Sequence, residues 1–447
     1  MRGRHRGDLR WTTCGLELSF LEVTLLTRHD NGVLTQTDSG TAMGETMRRY
    51  WMPALLSREI PEPDCPPVRV QLLGEKLVAF RDTSGRIGLI EEFCPHRGTS
   101  LFLGRNEEDG LRCVYHGWKF DVNGSCLDMM NEPTGSDYKD KIRTNAYPTY
   151  EVGGLVWSYM GPEDKKPALP LFEWTQVPDT HRQLSKNIQE CNWLQSFEGG
   201  IDTAHAPILH RRITNNTTQP GLGVDTDIVR SGPPKVEIER TDYGYRYAGI
   251  RPMGEKGNLI RSYHWVMPFT QIRPQQFGLQ GQAARTVIAG HMWVPMDDNN
   301  CMVYNWSYSF GDEPLDDGAE YEAALGRGDG NLRLDFKSIR NRDNDWLIDR
   351  QVQKYETFTG ITGINNQDQA VQESMGAIVD RSKENLSASD IAIVTARRIL
   401  LEATRTVADG GDPPGVGASY YNARAIDKYL PVDGKWREDL LEEMNPA

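Results

Sequence analysis

The sequence contains no apolar run long enough to cross a membrane as a helix. Such a helix needs about 20 consecutive apolar residues, and none of that kind occurs among the 447 residues. The broken apolar stretch at residues 16–26 contains Glu17 and Glu22 and lacks a small-residue cleavage site, so it is not expected to be a secretory signal. We therefore expect no membrane partner and a cytoplasmic location.

Positive charge is in short supply. The chain has 63 acidic residues against 50 lysines and arginines, a formal net charge of −13. Because nucleic-acid-binding proteins concentrate basic residues on one surface, we expect no nucleic-acid partner. Hydrophobic residues make up 38% and charged residues 25% of the chain, which is typical of a soluble globular protein. The length allows two or three domains.

Cysteine is also sparse. The seven cysteines are an odd number in a long chain, which argues against a disulfide scaffold and favours a reducing compartment in which some thiolates bind metal. The glycine-rich dinucleotide-binding fingerprint is missing, so the chain is not expected to bind a nicotinamide cofactor itself. The closely spaced cysteine run of plant-type ferredoxins is missing as well.

Short β-strands are predicted in the first half of the chain. Val68, Val70 and Leu72 alternate with polar residues, and the Asn123-Gly124 pair after a strand-like run is a hairpin turn signal. Residues 68–160 therefore predict a small all-β domain.

Helical patterns lie on both sides of this domain. In the first of them, Met43, Met47 and Trp51 are spaced for one face of a helix. Residues 235–310 hold alternating, β-like runs, so the second unit is predicted to be α+β. The segments with helical spacing are residues 41–53, 187–211 and 388–407.

Two short segments combine one cysteine and one histidine each. They are Cys94-Pro-His96 and, after sixteen further residues, Cys113-Val-Tyr-His116. A Rieske-type [2Fe–2S] cluster needs two thiolates on one iron and two imidazoles on the other, and two mixed loops supply this set. The alternative is a zinc site, but zinc fingers use cysteine pairs and histidine pairs rather than two mixed halves.

A second group of candidate ligands follows further along the chain. Asp202 and His205 are three residues apart and are predicted to share a helix face. Pro207 is predicted to bend or end that helix before His210. Two histidines and one carboxylate bind Fe(II) in non-haem iron oxygenases, although such a histidine pair can also be purely structural. Spacing does not identify the carboxylate among the 63 acidic residues.

These motifs together resemble the Rieske non-haem iron aromatic-ring-hydroxylating oxygenases, oxygenase (alpha) component, and within them the phthalate 4,5-dioxygenase-like subgroup. The resemblance covers residues 24–445 and includes the Met43-Gly44 and Asn192-Trp193 segments. It implies an all-β Rieske [2Fe–2S] domain plus an α+β catalytic domain built on an antiparallel sheet with helices. The expected divisions are an N-terminal extension without an assigned role at 1–23, a helical segment of the catalytic unit at 24–50, the Rieske domain at 51–162 and the catalytic domain at 163–447.

The resemblance also implies the ligands and their roles. The cluster ligands are Cys94, His96, Cys113 and His116, and the mononuclear Fe(2+) ligands are His205, His210 and Asp368. Asp368 lies in a segment similar to the family's ligand segment, whereas its neighbours in sequence Asp343, Asp345, Asp349 and Asp380 are interpreted as helix caps and surface ion-pair partners. Asp202 is expected to join His205 to His116 of the partner subunit; the alternative is that it only orients His205.

The implied activity requires other molecules. A separate NADH-dependent flavin/ferredoxin-type reductase supplies electrons, and the oxygenase forms a homo-trimer or a stacked hexamer. The implied reaction is cis-dihydroxylation of an aromatic carboxylate by dioxygen, as in phthalate 4,5-dioxygenase. The alternatives are an O-demethylating or angular oxygenase acting on methoxy- or phenoxy-benzoates, and a non-catalytic Rieske electron carrier.

The substrate pocket is predicted to be apolar and to lie beside the iron ligands. A carboxylated substrate needs a cation, and strand alternation puts Tyr247, Gly249 and Arg251 on one face. We interpret Arg251 as the substrate anchor. Arg211 and Arg212, next to the second histidine, are the other candidates, and any one of these arginines can instead be a surface residue.

Overall fold

The computed structural model describes residues 10–13, 16–19, 26–214, 232–274, 286–315, 318–328 and 330–446. Among those residues, no helix has both the length and the apolar character that crossing a membrane requires. Cys14 lies outside the described residues.

The N-terminal elements are short. Strands β1 (Arg10–Thr13) and β2 (Leu16–Ser19) pair antiparallel. Helix α1 (Arg28–Thr35) begins after Thr27, whose hydroxyl accepts from the Asp30 amide, and α2 (Ala42–Met47) begins after Thr41, which accepts from Gly44. Both are N-caps of the usual threonine type.

The helix predicted for residues 41–53 is correct only up to Met47. Met43 and Met47 are buried on α2, but Trp51 opens a strand. Pro53 cannot continue a helix, and the backbone of this segment pairs instead with a later strand, where Trp51 lies opposite Tyr159. Of the three residues predicted to share one helix face, two lie on α2 and the third lies on a strand.

The following segment is all-β, as predicted. Its antiparallel sheets have the orders β11-β12-β3, β4-β5-β6 and β10-β9-β8-β7. The predicted turn is also confirmed, because Gly124 adopts a φ of 78° between two paired strands. The strands are β3 (Trp51–Leu56), β4 (Val68–Leu72), β5 (Glu75–Arg81), β6 (Ile87–Glu91), β7 (Arg105–Glu107), β8 (Gly110–Arg112), β9 (Trp118–Phe120), β10 (Cys126–Met129), β11 (Thr149–Val152) and β12 (Leu155–Tyr159).

The rest of the described chain builds one large antiparallel sheet covered by helices. The strand order is β13-β19-β18-β17-β16-β15-β14, and β20 pairs with one end of β16. The elements are α3 (Glu173–Gln176), β13 (Arg182–Gln189), α4 (Trp193–Ile201), α5 (Ala206–Leu209), β14 (Lys235–Thr241), β15 (Gly244–Pro252), β16 (Asn258–Val266), β17 (Thr270–Pro274), β18 (Val287–Asp297), β19 (Asn300–Ser309), α6 (Gly318–Leu325), α7 (Arg350–Tyr355), α8 (Ile364–Ser374), α9 (Ile391–Ala408), β20 (Asp427–Leu430), α10 (Trp436–Asp439) and α11 (Leu441–Met444).

Helices α4 and α9 cover one face of this sheet. Phe197 of α4 packs against Trp265 and Trp293, with ring centroids 5.4 and 5.9 Å apart. The Tyr245 hydroxyl donates to the carbonyl of Ala392 at the start of α9. The helix predicted for residues 388–407 is thus confirmed as α9, and its buried apolar residues are Ala392, Ala396, Ile399, Leu400 and Ala403.

Candidate metal centres and their cavity

The two Cys/His loops share one backbone geometry. The carbonyl of Cys94 accepts from the Gly98 amide at 2.8 Å, and the carbonyl of Cys113 accepts from the Gly117 amide at 3.0 Å. Both glycines are left-handed, with φ of 75° and 76°, a conformation that side chains with a Cβ rarely adopt. The glycines therefore allow each loop to turn tightly around its cysteine.

The loops bring like ligands together. The rings of His96 and His116 meet edge to face with centroids 4.4 Å apart, and Trp118 stacks on His96 at the same separation. Burial is the main cause that raises the pKa of Cys94, to about 12, and the nearby Cys113 thiol raises it further. A buried thiol pair of this kind becomes anionic when a metal cation stabilises it. The Nδ1 atom of His116 is buried without a hydrogen-bond partner.

The remaining described cysteines are all buried. One of them, Cys126, packs in the same small core as Cys94 and Cys113. The pairing of β10 with β9 places Cys126 opposite Phe120, and its thiol donates to the carbonyl of Asp128 at 3.5 Å.

The chain that carries Asp202 and both later histidines is not one helix. Helix α4 ends at Ile201, Asp202 follows as its C-cap, and α5 begins at Ala206 with Pro207 in its first turn. The prediction that Asp202 and His205 share a helix face is therefore wrong. The prediction that Pro207 bends or ends a helix between the two histidines is wrong as well. Proline is tolerated in the first turn of a helix, so the break comes before His205.

Two adjacent glycines let α4 lie close to its neighbours. A Cβ on Gly199 would come within 1.9 Å of the Gln372 amide, and one on Gly200 within 2.0 Å of the Trp293 ring. On the other side of the helix, buried Glu198 pairs with Arg381 at 2.9 Å and with Arg397 at 2.6 Å. The end of α4, and with it Asp202, is thus held from both sides.

The two histidines converge on Asp368 of α8. The Oδ1 atom of Asp368 lies 3.3 Å from Nε2 of His205 and 3.3 Å from Nε2 of His210. One ligand atom from each of the three residues lies within 4.8 Å of the other two. The Oδ1 atom is buried and has no hydrogen-bond partner. Three potential ligands thus surround one point.

The electrostatics of this trio favour a positive charge at that point. Burial alone would lower the pKa of His205, but Asp202 and Asp368 raise it to about 10. Burial would raise the pKa of Asp368, yet His210 and His205 hold it well below its usual range. A cation shared by the three residues replaces the proton that these shifts describe.

Each imidazole is oriented through its other nitrogen. His210 Nδ1 lies 2.7 Å from Gln367 Oε1, and Gln367 Nε2 donates to the carbonyl of Ile361 at 2.7 Å. His205 Nδ1 lies 3.4 Å from Asp202 Oδ2. Because the Gln367 amide is fixed in this way, His210 Nδ1 is the donor and Nε2 faces Asp368 with its lone pair. The sequence reasoning missed Gln367, although it immediately precedes Asp368.

The trio opens into a cavity of about 130 Å³. Apolar surface makes up most of the cavity wall, as expected, but strand register also turns several polar side chains of the sheet toward it. Tyr263 lies beside Arg261 on the same strand face, and Gln271 lies opposite His291. The lining side chains used below are Arg251, Arg261, Tyr263, Arg273, His291 and Trp293.

Arg251 lines this cavity, whereas Arg211 and Arg212 are not among its lining residues. The Arg251 side chain is 2% exposed, and Nη2 donates to the carbonyl of Thr203 at 3.1 Å. Its Nε and Nη1 atoms are buried without a partner. Burial lowers the pKa of this guanidinium, which is the environment in which a cation gains most from an anionic ligand.

Two of the four neighbouring acids, Asp349 and Asp380, have the cap and ion-pair roles expected for them. Asp349 caps α7 by accepting from the amides of Gln351 and Val352. Asp380 pairs with Arg28 and Lys383 at the surface.

Comparisons with known proteins give two family matches. The profile described as Rieske [2Fe-2S] domain matches residues 50–148, and the one described as LigXa C-terminal domain like matches residues 158–442. The chain is 37% identical over 428 residues to the phthalate 4,5-dioxygenase oxygenase subunit of Pseudomonas putida, covering 93% of this chain and 94% of that protein. It is 38% identical over 430 residues to the 3-chlorobenzoate-3,4-dioxygenase oxygenase subunit of Comamonas testosteroni, with coverages of 91% and 96%.

Less similar relatives and solved structures include proteins whose names refer to other reactions. The 5,5'-dehydrodivanillate O-demethylase oxygenase subunit of a Sphingobium species is 30% identical over 423 residues, covering 94% of this chain and 89% of that protein. Among solved structures, NdmA of Pseudomonas putida CBB5 aligns with a TM-score of 0.58 at 18% identity, covering 88% of this chain and 99% of that one. Dicamba monooxygenase bound to dicamba aligns at 0.57 and 17% identity, with coverages of 81% and 98%. The structural matches support the same fold.

Proposed function

The chain belongs to the family of Rieske non-haem iron oxygenases, and from this premise we propose that it hydroxylates an aromatic carboxylate with dioxygen and with electrons from a separate reductase. The observation that carries the proposal is the His205, His210 and Asp368 trio, which opens into a cavity that also contains a buried arginine with unpartnered donors. An electron carrier alone has no use for such a trio.

The two Cys/His loops fit a [2Fe–2S] cluster. The thiols of Cys94 and Cys113 lie together, the rings of His96 and His116 lie together, and His116 Nδ1 is buried without a partner. We assign these four residues as the cluster ligands. The cluster, when bound, transfers one electron at a time at a potential raised by its imidazole ligands.

The later trio fits a mononuclear Fe(2+). Two imidazoles and one carboxylate form the facial ligand set that leaves positions open for dioxygen, and the unpartnered Asp368 Oδ1 lies between both Nε2 atoms. Iron, when bound, supplies the activation of dioxygen. The chain's own contribution is to fix the imidazole tautomers through Gln367 and Asp202.

We assign to Asp202 the role of connecting the iron site of one subunit to the cluster site of its neighbour. Its carboxylate contacts His205 and accepts from the Ala204 amide at 2.7 Å. Although burial would raise the pKa of Asp202, the His205 imidazole holds it below its usual value, so the carboxylate stays anionic. We propose that it also accepts from His116 of the partner subunit in a homo-trimer or stacked hexamer.

The proposed division of the chain follows the roles of its segments. Residues 51–162 form the Rieske domain, and residues 24–50 act with the catalytic unit at 163–447. The support for the second point is that Asn192 Nδ2 donates to the carbonyl of Thr35 at 2.9 Å and Trp193 Nε1 to that of Leu34 at 3.1 Å. The start of α4 is therefore hydrogen-bonded to the end of α1.

Arg251 is the proposed anchor for the substrate carboxylate. Its unpartnered nitrogens supply the donors that a carboxylate accepts, and the names of two relatives that are 37% and 38% identical refer to phthalate and 3-chlorobenzoate. The proposed reaction is cis-dihydroxylation of the ring.

O-demethylation is the second candidate reaction, favoured by the 30% identity to a dehydrodivanillate O-demethylase subunit. Both reactions use the same ligands, so products must decide. Turnover with a reductase, NADH and labelled dioxygen should give a diol that holds both oxygen atoms. Release of formaldehyde from methoxybenzoates, without diol from benzoates, would replace dihydroxylation by demethylation. About three irons per chain are expected, two in the cluster and one outside it; two would indicate a carrier.

A further inference from the structure

Two buried arginines share the sheet face beneath the cavity. Arg251 lies on β15 and Arg261 on β16, where Arg261 is paired with Gly249. Residues directly opposite each other in an antiparallel pair point to the same face, as do residues two apart on one strand. Gly249 has no side chain to separate the two guanidinium groups. Both arginines line the cavity.

A buried acid on β20 touches only one of these arginines. Asp427 lies directly opposite Arg261 in the β16–β20 pair, and the Arg261 Nη1 and Asp427 Oδ2 atoms are 3.1 Å apart. The side chains are 9% and 5% exposed. Among the residues that the structure describes, Arg251 has no ion-pair partner, and its guanidinium donates to the carbonyl of Thr203 instead.

The charges in this group do not cancel. Tyr263, Arg261 and Asp427 act electrostatically on Arg251. A tyrosine is uncharged at neutral pH, so Arg251, Arg261 and Asp427 together carry one uncompensated positive charge. A buried charge without a partner is costly, and an anionic ligand removes that cost. The net charge of this group of three residues therefore depends on Asp427.

We propose that Asp427 is a specificity-determining residue, which neutralises Arg261 so that Arg251 and Arg261 together present a single positive charge to the cavity and take one substrate carboxylate. The inference rests on the proposed function, because it assumes that Arg251 anchors a carboxylate. Without Asp427, Arg251 and Arg261 present two positive charges to the cavity and favour a substrate with two adjacent carboxylates.

The test measures binding rather than turnover. Calorimetric titration of the holoprotein, without reductase or NADH, gives affinities for benzoate, phthalate and neutral benzamide. Asp427→Asn keeps the shape of the side chain and should shift the preference toward phthalate over benzoate by about tenfold or more. A unit charge several ångströms away has an effect of that size at an effective dielectric constant of about 20.

A charge series separates this effect from a structural role of the pair. Arg261→Met leaves Arg251 opposed by Asp427, so it should lose carboxylate affinity and keep benzamide affinity. The double variant Arg261→Met with Asp427→Asn has one positive charge again and should recover the wild-type preference. Asp433→Asn removes an exposed acid near β20 and should change nothing. Arg273, held through Nε by His291 at 3.2 Å, is the same in every variant.

The outcomes are distinct. A folded Asp427→Asn protein with an unchanged ratio of phthalate to benzoate affinity overturns the role of Asp427 and leaves the aromatic-carboxylate proposal standing. If Asp427→Asn does not fold, equal carboxylate affinity of the Arg261→Met and double variants overturns it instead. Failure of the wild-type protein to bind either carboxylate, with benzamide still bound, overturns the proposed function as well.

Discussion

At the scale of single residues, the candidate iron site depends on atoms that have no protein partner. Asp368 Oδ1 and Arg251 Nη1 are both buried and unsatisfied, yet both lie on the same cavity. Buried polar groups without partners are rare in folded proteins because each costs free energy. Their presence on one cavity is best explained by the ligands that complete them, a metal for Asp368 and a substrate carboxylate for Arg251.

Asp368→Ala should lose the mononuclear iron and keep the visible spectrum of the cluster. Among the described residues, Asp368 supplies the carboxylate that groups with His205 and His210, and two imidazoles alone bind Fe(2+) weakly. Metal analysis together with the absorption spectrum measures both sites. Asp380→Ala, at the surface, is the control and should retain both metals. Full iron occupancy in Asp368→Ala would remove it from the ligand set.

Cys113→Ser should give the opposite result, a bleached visible spectrum with the mononuclear iron still bound. The serine hydroxyl does not ionise at neutral pH, so one iron of the cluster loses a ligand. The matched control is Cys126→Ser, since Cys126 is buried in the same small core but bonds a backbone carbonyl. A visible spectrum that is lost in the control and kept in Cys113→Ser would contradict the assignment.

Arg251→Met should raise the KM for an aromatic carboxylate and spare uncharged aromatics. The expected loss is about 2–5 kcal/mol, the range for removing one partner of a buried, hydrogen-bonded charge pair. Steady-state kinetics with benzoate and benzamide measure it. Arg212→Met, outside the cavity lining, serves as the control. Equal losses for charged and neutral substrates would show that Arg251 has a structural role only.

At the scale of elements, the site depends on how closely α4 approaches the sheet. Gly199 and Gly200 leave no room for a methyl group against Gln372 and Trp293, while the Glu198 ion pairs hold the opposite side. Asp202 follows one residue after the helix ends. A shift of α4 away from the sheet therefore moves Asp202 and the turn before His205 together.

Gly200→Ala should destabilise the protein by about 1–3 kcal/mol, the usual cost of overpacking a core, and should weaken iron binding. Thermal unfolding and metal titration measure the two effects. Gly32→Ala is the matched control, because Gly32 lies in α1 with no atom within 4 Å of an added Cβ. That control should be neutral or should gain about 1 kcal/mol from helix propensity. Equal behaviour of the two variants would disprove the close approach of α4.

At the scale of the whole molecule, the proposed cluster ligands and the proposed iron ligands belong to different parts of the fold. The cluster loops lie among the small sheets that contain β6 to β10, whereas His205 and His210 flank α5 and Asp368 lies on α8, beside the large sheet. We predict that the two metals of one chain are too far apart for fast electron transfer, and that the cluster of one subunit reduces the iron of its neighbour. Asp202, in contact with His205 and partly exposed, is the residue predicted to lie at that junction.

Asp202→Asn should retain both metals and a reducible cluster but slow reduction of the mononuclear iron by orders of magnitude. The amide keeps the shape of the side chain and removes the charge that orients and polarises the imidazoles. Single-turnover spectroscopy after reduction of the cluster measures the rate. Unimpaired transfer, or full activity of a monomer, would exclude a bridging role and a required oligomer.

The sequence by itself indicated the candidate ligands of both metal centres, because each pair of candidates lies within a few residues. The Cys94/His96 and Cys113/His116 loops, the His205/His210 pair and the alternating face of Arg251 follow from local spacing and coordination preference. The α9 helix and the β-rich segment were predictable for the same reason, since periodicity is local. Asp368 was reached through resemblance, because spacing does not choose among 63 acids.

Only the tertiary structure decided what surrounds those residues. The helix break before His205, the Gln367 contact to His210 and the pairing of Asp427 with Arg261 join segments that are distant in sequence or depend on how strands align. The polar side chains in the mainly apolar cavity wall face it for the same reason, because the register of β15 to β18 turns them that way. Register and helix placement result from burial of the whole apolar core, so no local pattern contains them.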